Sequence, residues 1–164
     1  MNSQARRRAA FVAVGLMLAL GPAFAAGDPN TPIIGVWQTG DNSHVTISPC
    51  AEDYCGVLTY VSISPAEYAR LTPAEKKAAD AQDPKHFLDT KNQDAKLRTR
   101  SLVKLKMLVL HPTKKPGDFS GTLYNPQDGG TYDGSVHVDS PTQLLLSGCL
   151  FKVLCKSQEW TRVK

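Results

Sequence analysis

From Ile33 onward, short runs of alternating apolar and polar residues are separated by clusters of Gly, Pro, Asn and Asp. A period of two marks strands with one dry and one wet face, and the clusters supply turns. "IIGVWQT" is followed by "GDNS" and then by "HVTIS", in which Val45 and Ile47 share a face. "GVLTYVSI" alternates Val57, Thr59, Val61 and Ile63, and "SLVKLKMLVL", "FSGTLYN", "GTYDGSVHV", "TQLLLSG" and "KSQEWTRV" complete eight candidate strands. In the fourth run Val103, Leu105, Met107 and Val109 are expected on the dry face, with Lys104 and Lys106 on the wet one. In the sixth, Tyr132, Gly134, Val136 and Val138 share a face, while Asp133, Ser135, His137 and Asp139 take the other. Such runs, joined by tight turns, predict an all-β antiparallel fold, either a meander closing on itself or a sandwich.

One segment departs from this period. "SPAEYARL" and "TPAEKKAADA" each begin with a hydroxyl residue, then Pro, with Glu three positions after the cap. Ser64 with Glu67, and Thr72 with Glu75, are therefore capping boxes. They predict two short helices in an insert over about residues 64–84, between the third and fourth strands. Such an insert is either a lid over a cavity mouth or a polar connection across one end of the fold, and the second is the commoner use.

The head of the chain has a different character. Arg6, Arg7 and Arg8 precede an apolar run from Ala9 to Leu20, then Gly21-Pro22, with Ala23 and Ala25 at the small-residue positions of a cleavage site. Residues 1–25 are expected to be a cleaved signal peptide, residues 26–33 a short linker, and residues 34–164 one domain. No later segment has the ~18 apolar residues of a membrane-spanning helix, so no integral membrane segment is expected after leader removal. Setting the leader arginines aside leaves 16 Lys and Arg against 15 Asp and Glu in the rest of the chain. So even a balance removes the general electrostatic case for nucleic acid.

Four cysteines in an exported chain predict two disulfides. Cys50 and Cys55 enclose "AEDY", and Cys149 and Cys155 enclose "LFKVL", so local pairing would staple two hairpins, although three connectivities are possible. Neither spacing is that of a zinc knuckle or a redox C-x-x-C.

Taken together, "GVWQTGDN", "ISPCAEDYCGVL", "DTKNQDAKLRTRSL", "GTLYNPQDGGTYDGSV" and "LSGCLFKVLCKSQEWTRV" resemble the bacterial domain of unknown function 2147 family, small exported lipocalin-like proteins. The resemblance implies an eight-stranded up-and-down β-barrel, a periplasmic location and a Gram-negative source. In lipocalin-like barrels the Gly-x-Trp of the first strand packs at the closed end beneath an Arg of the last. Here Gly35, Trp37 and Arg162 match those positions. The physical reason is general: a barrel must join its first and last strands, and a guanidinium over an indole secures that closure.

Candidate chemistry is sparse. In "DTKNQDAKLRTR", Asp89, Asn92 and Asp94 supply oxygens at short spacing, but the EF-hand Gly and Glu are missing and Lys91 and Lys96 oppose a cation. Arg98 and Arg100, two apart, would project from one face of an extended strand and capture an anion. The acid-free run from Lys96 through Arg98, Arg100, Lys104, Lys106, Lys114 and Lys115 also reads as a solvated face or charge-protected edge. Tyr124 and Tyr132 flank "NPQDGG", which has the residues a hairpin turn demands. G-x-S-x-G, H-E-x-x-H and a phosphate-cradling Gly loop are all missing, and His44, His86, His111 and His137 are scattered. No catalytic residue, metal or cofactor is therefore assigned.

These readings lead to a lipocalin-like binding protein for a small, at least partly apolar or amphipathic ligand, without turnover. The expected lining is Val103, Leu105, Met107, Val109, Tyr124, Tyr132 and Val136, with Arg98 and Arg100 at an acidic head group. The alternative is an envelope interaction protein with a filled barrel and a basic contact face. Nothing in the sequence sets an oligomeric state.

Overall fold

The computed structural model describes residues 31–150 and 154–163, so the expected leader lies outside the described residues. Eight strands follow the chain in order: β1 (Gly35–Gln38), β2 (His44–Cys50), β3 (Asp53–Tyr60), β4 (Lys106–Pro112), β5 (Asp118–Asn125), β6 (Gly130–Ser140), β7 (Gln143–Leu150) and β8 (Leu154–Arg162). Each pairs antiparallel with the next, and β8 returns to β1, so the meander closes into an up-and-down barrel. Closure leaves neither the first nor the last strand as a free edge strand, the seam being the two pairs Trp37–Arg162 and Gln38–Thr161, and this limits edge-to-edge association.

Alternation sets the interior. Trp37, Val45, Ile47, Leu108, Leu110, Phe119, Val136 and Leu144 are fully buried and form the main core. They gather toward the end that carries the β2–β3, β4–β5 and β6–β7 turns, where Ile33, in a short 3-10 turn before β1, completes the packing. The outer face is polar, as in the Thr46–Thr59 and Ser147–Ser157 hydroxyl pairs.

Inward-facing glycines decide where larger side chains fit. A Cβ on Gly56 would lie 2.7 Å from the Leu108 side chain, and one on Gly134 would lie 2.1 Å from Leu123. Each glycine thus yields space to a leucine on the facing strand. Gly148 differs, because a Cβ there would meet only Tyr132, at 3.6 Å. The interior is open at that level.

The phase of β3 and β4 is set by tertiary fit, and in β4 it departs from the dry face expected from sequence. In β3 the inward residues are Tyr54, Gly56 and Leu58, while Val57 and Thr59 point outward. In β4 the buried residues are Leu108 and Leu110, so Val109 faces outward, and Val103 and Leu105 precede the strand. "LVKLKMLVL" is apolar at both parities and carries no clear alternation. Its phase is set by a left-handed turn at Lys104 (φ 66°) and a register shift between Gly56 and Val57.

The connection from β3 to β4 holds α1 (Pro65–Arg70) and α2 (Pro73–Asp80). Both capping boxes form, with the Glu67 and Glu75 backbone N–H groups donating to the Ser64 and Thr72 hydroxyls and the carboxylates reaching back. Gln82 ties the insert to the barrel: it accepts from the Val61 N–H at 2.7 Å and donates to the Val61 carbonyl at 3.1 Å. Both disulfides are local. Cys50–Cys55 closes the β2–β3 hairpin and Cys149–Cys155 the β7–β8 hairpin.

Candidate functional site

The barrel has one sealed end and one open end. At the sealed end Trp37 of β1 lies in register with Arg162 of β8, and the guanidinium carbon stands 4.2 Å from the ring centroid. The indole N–H donates to the Ile33 carbonyl at 2.8 Å. Arg162 donates to the carbonyls of Ile34 at 2.8 Å, Pro141 at 2.5 Å, and Pro32. One side chain thus joins the chain entering the barrel, the last strand and the β6–β7 turn. Burial lowers the Arg162 pKa from the ordinary guanidinium value. Gly35 sits at φ 149°, a conformation that a side chain resists, and there the chain turns from the 3-10 segment into β1.

Above this plug lies a cavity of about 710 Å³. Leu58, Met107, Leu108, Leu123, Leu146 and Trp160 form its apolar floor and walls. Polar groups collect toward the mouth, which is framed by the β1–β2 turn, residues 88–91, the β5–β6 turn and the start of β8. There the Tyr132 hydroxyl donates to Asp128 at 2.7 Å, a bond that raises the Tyr132 pKa. The Trp160 N–H donates to the Gln158 side-chain oxygen at 2.7 Å, which leaves the Gln158 amide N–H groups as donors on a residue that lines the cavity. An apolar base beneath a few converging polar groups is the arrangement that holds small molecules, typically in roughly 300–1,000 Å³.

One side of the mouth is held by a polar knot. Asp89, 1% exposed, accepts from the Tyr124 hydroxyl at 2.6 Å, the Asn92 amide at 2.8 Å and the Arg100 Nε at 2.8 Å. The Arg100 guanidinium also stacks 4.9 Å from the Tyr124 ring centroid. Asp94 accepts from the Lys96 N–H and caps the 3-10 turn Ala95–Leu97, while Arg98 donates to the Asn92 carbonyl at 2.8 Å. Desolvation, and then the bond to Asp89, raise the Tyr124 pKa above 10.0. The folded state therefore keeps this proton where the unfolded chain has lost it. The stability it contributes is full below pH 10.0 and is lost as pH rises through the raised value. Alkaline titration of unfolding should show stability falling above that pH, with a shallower fall in Tyr124→Phe. The slope does not vanish in that variant, because Tyr68 and Tyr132 are shifted the same way. An unchanged slope would contradict the assignment.

A profile of the bacterial family described as "Uncharacterized protein conserved in bacteria (DUF2147)" matches residues 35–162. The chain belongs to the DUF2147 family. The match spans the whole barrel, from the first residue of β1 to the last of β8. Among solved structures, the chain is similar to protein HP1028 of Helicobacter pylori, described as belonging to the lipocalin family, with 19% identity and a TM-score of 0.57. That alignment covers 80% of this chain and 83% of the other, and it shows a shared fold. No curated protein matches.

Within this DUF2147 barrel the residues singled out from sequence separate into groups. Met107, Tyr124 and Tyr132 line the cavity. Val136 is buried in the packed core instead, against Phe119 and Leu146 across the neighbouring strands. Val103, Leu105 and Val109 are not on the lining, for the reasons of phase given above. Arg98 and Arg100 do not share the face of a strand: the Asx bonds of Asn92 and Asp94 fold their segment into turns, and Arg100 is committed to Asp89. The basic run is likewise divided, with Lys104 and Lys106 at one end of β4 and Lys114 and Lys115 beyond the other. Sequence reasoning missed Leu58, Leu108, Leu123, Leu146, Gln158 and Lys156 as lining residues. For the last two a signal was present, since 156, 158, 160 and 162 share one parity and Arg162 anchors it to the inside.

Proposed function

We propose that this chain is an exported, periplasmic barrel that binds a small, partly apolar molecule in its interior, without chemical turnover. The observation that carries the reading is the cavity itself: about 710 Å³, apolar below, polar at its rim, and open at the end opposite the Trp37–Arg162 plug. The lipocalin fold of its structural neighbour supports the same use of the interior. The leader pattern of residues 1–25 and the two disulfides support export to an oxidising compartment.

The test is to produce the full chain in a Gram-negative host and recover it from the osmotic-shock fraction. Its N-terminus should lie near residue 26. The recovered protein is then titrated with the uncharged fluorophore N-phenyl-1-naphthylamine. Saturable one-to-one binding is expected, lost at least tenfold in Gly148→Leu, whose new side chain enters the open part of the barrel while the melting temperature holds. An unprocessed cytoplasmic chain would overturn the export half of the reading. Absence of fluorophore binding, or binding indifferent to Gly148→Leu, would overturn the carrier half.

A further inference from the structure

We infer that the ligand carries an acidic head group and that Lys156, with the Gln158 amide beside it, is the group that receives it. This rests on the carrier reading and names the ligand class. The register pairs Gly148 with Lys156, Leu146 with Gln158 and Leu144 with Trp160. Leu144, Leu146 and Trp160 are buried, so this parity of β8 is the inward one. Lys156 and Gln158 therefore belong to the inner wall, yet both are solvent-exposed and both line the cavity. An inward lysine in contact with water is a cation at the mouth of an apolar chamber.

Its charge is not answered by an ion pair among the described residues. Two carboxylates line the same cavity, Asp41 and Asp128, and both are occupied. Asp128 accepts from the Tyr132 hydroxyl at 2.7 Å, the Asn125 amide at 2.8 Å and the Gly130 N–H at 2.9 Å. Asp41 accepts from the Thr39 hydroxyl, the Ser43 N–H at 3.3 Å and the Gln127 amide at 3.2 Å. Neutral donors thus hold both acids, within the β5–β6 hairpin at Asp128 and within and across the β1–β2 and β5–β6 turns at Asp41. The lining holds one further cation, Lys91, on the opposite side of the mouth from β8 and next to the loop that carries the polar knot.

The inner wall of β8 accordingly offers donors without acceptors. Gln158 spends its oxygen on the Trp160 N–H, so its amide N–H groups are what it has left to offer a ligand, and the Lys156 ammonium has only donors. A ligand whose apolar tail lies over Leu58, Leu108 and Leu146 would bring its head to this wall, and a carboxylate or phosphate satisfies both residues. An uncharged head could accept these bonds but would leave the ammonium charge unanswered, and a cationic head would be repelled.

Four twelve-carbon probes test this on the purified full-length protein after leader removal, each displacing N-phenyl-1-naphthylamine at low salt and neutral pH. They are dodecanoate, dodecyl phosphate, dodecanol and dodecylamine. Dodecanoate or dodecyl phosphate should bind about tenfold or more tightly than dodecanol, as a charge-assisted hydrogen bond implies, and dodecylamine most weakly. The stronger of the two acids identifies a carboxylic or a phosphoric head. Lys156→Gln should remove about tenfold from the acids alone, with dodecanol and the melting temperature unchanged. Lys156→Glu should transfer the preference to dodecylamine. Equal affinity for acid and alcohol, or acid binding untouched by Lys156→Gln, would overturn the head-group assignment while leaving the carrier reading in place. If the neutral fluorophore itself does not bind, the carrier reading falls, and this inference with it.

Discussion

Trp37→Ala should lower the stability of the barrel by about 3–5 kcal/mol, the usual cost of removing a fully buried tryptophan. Trp37 is 0% exposed and sits where β1 meets β8, so the cavity left behind would open at the joint of the barrel. For a domain of this size the melting temperature should fall by roughly 10–20 °C. Arg162→Ala should cost about 2–3 kcal/mol, because it removes the stacking contact and leaves backbone carbonyls without donors. Arg162→Lys should recover less than half of that, since an ammonium cannot reach Pro32, Ile34 and Pro141 together. Thermal unfolding of the three variants checks this. A Trp37→Ala melting temperature within about 3 °C of the parent would mean that closure is carried by the strand ladder alone.

Asp89→Ala is expected to be the next most damaging change, at about 3 kcal/mol. The variant leaves the Tyr124 hydroxyl and the Asn92 amide without their acceptor and Arg100 without its partner. Asp89→Asn keeps an acceptor oxygen and should cost clearly less. Arg100→Ala should cost only about 1 kcal/mol, because the Arg100 side chain is 33% exposed and water screens what it loses. The local signature is faster hydrogen exchange across residues 86–102, whose bridge between Leu88 and Ser101 depends on the knot. An Asp89→Ala protein with parental stability and exchange would show the knot to be dispensable. The same segment supplies one side of the cavity mouth, so the variant should also bind the neutral fluorophore more weakly.

Much of this architecture could be read from the chain because local signals agreed with the global fold. Each of the eight candidate runs contains a strand, and the two Ser/Thr-Pro-x-Glu caps produced their helices. The cavity lining was harder to read, for a physical reason that particular residues make plain. Val45 and Ile47 declare their side by alternating with polar neighbours, whereas "GVLTYV" and "LVKLKMLVL" offer apolar residues on both sides. There the phase follows from tertiary fit: Leu108 occupies the space that Gly56 leaves, and the chain turns left-handed at Lys104. No periodicity within one run contains that information. Arg98 and Arg100 fail differently. Their spacing suits a strand, but Asn92 and Asp94 compete for the backbone and make turns instead. A cation that does line the cavity is found instead on β8, at Lys156, whose side is fixed by Trp160 and Arg162 further along the same strand.

That the open part of the barrel is a binding chamber is tested most directly by a crystal structure of the protein with 12-bromododecanoate, read by bromine anomalous scattering. One bromine peak is expected inside the barrel beside Leu58 and Leu108, with the carboxylate at Lys156. A bromine in the exterior groove lined by Val61, Ile63, Leu71 and Phe87, with the interior closed by its own side chains, would contradict it.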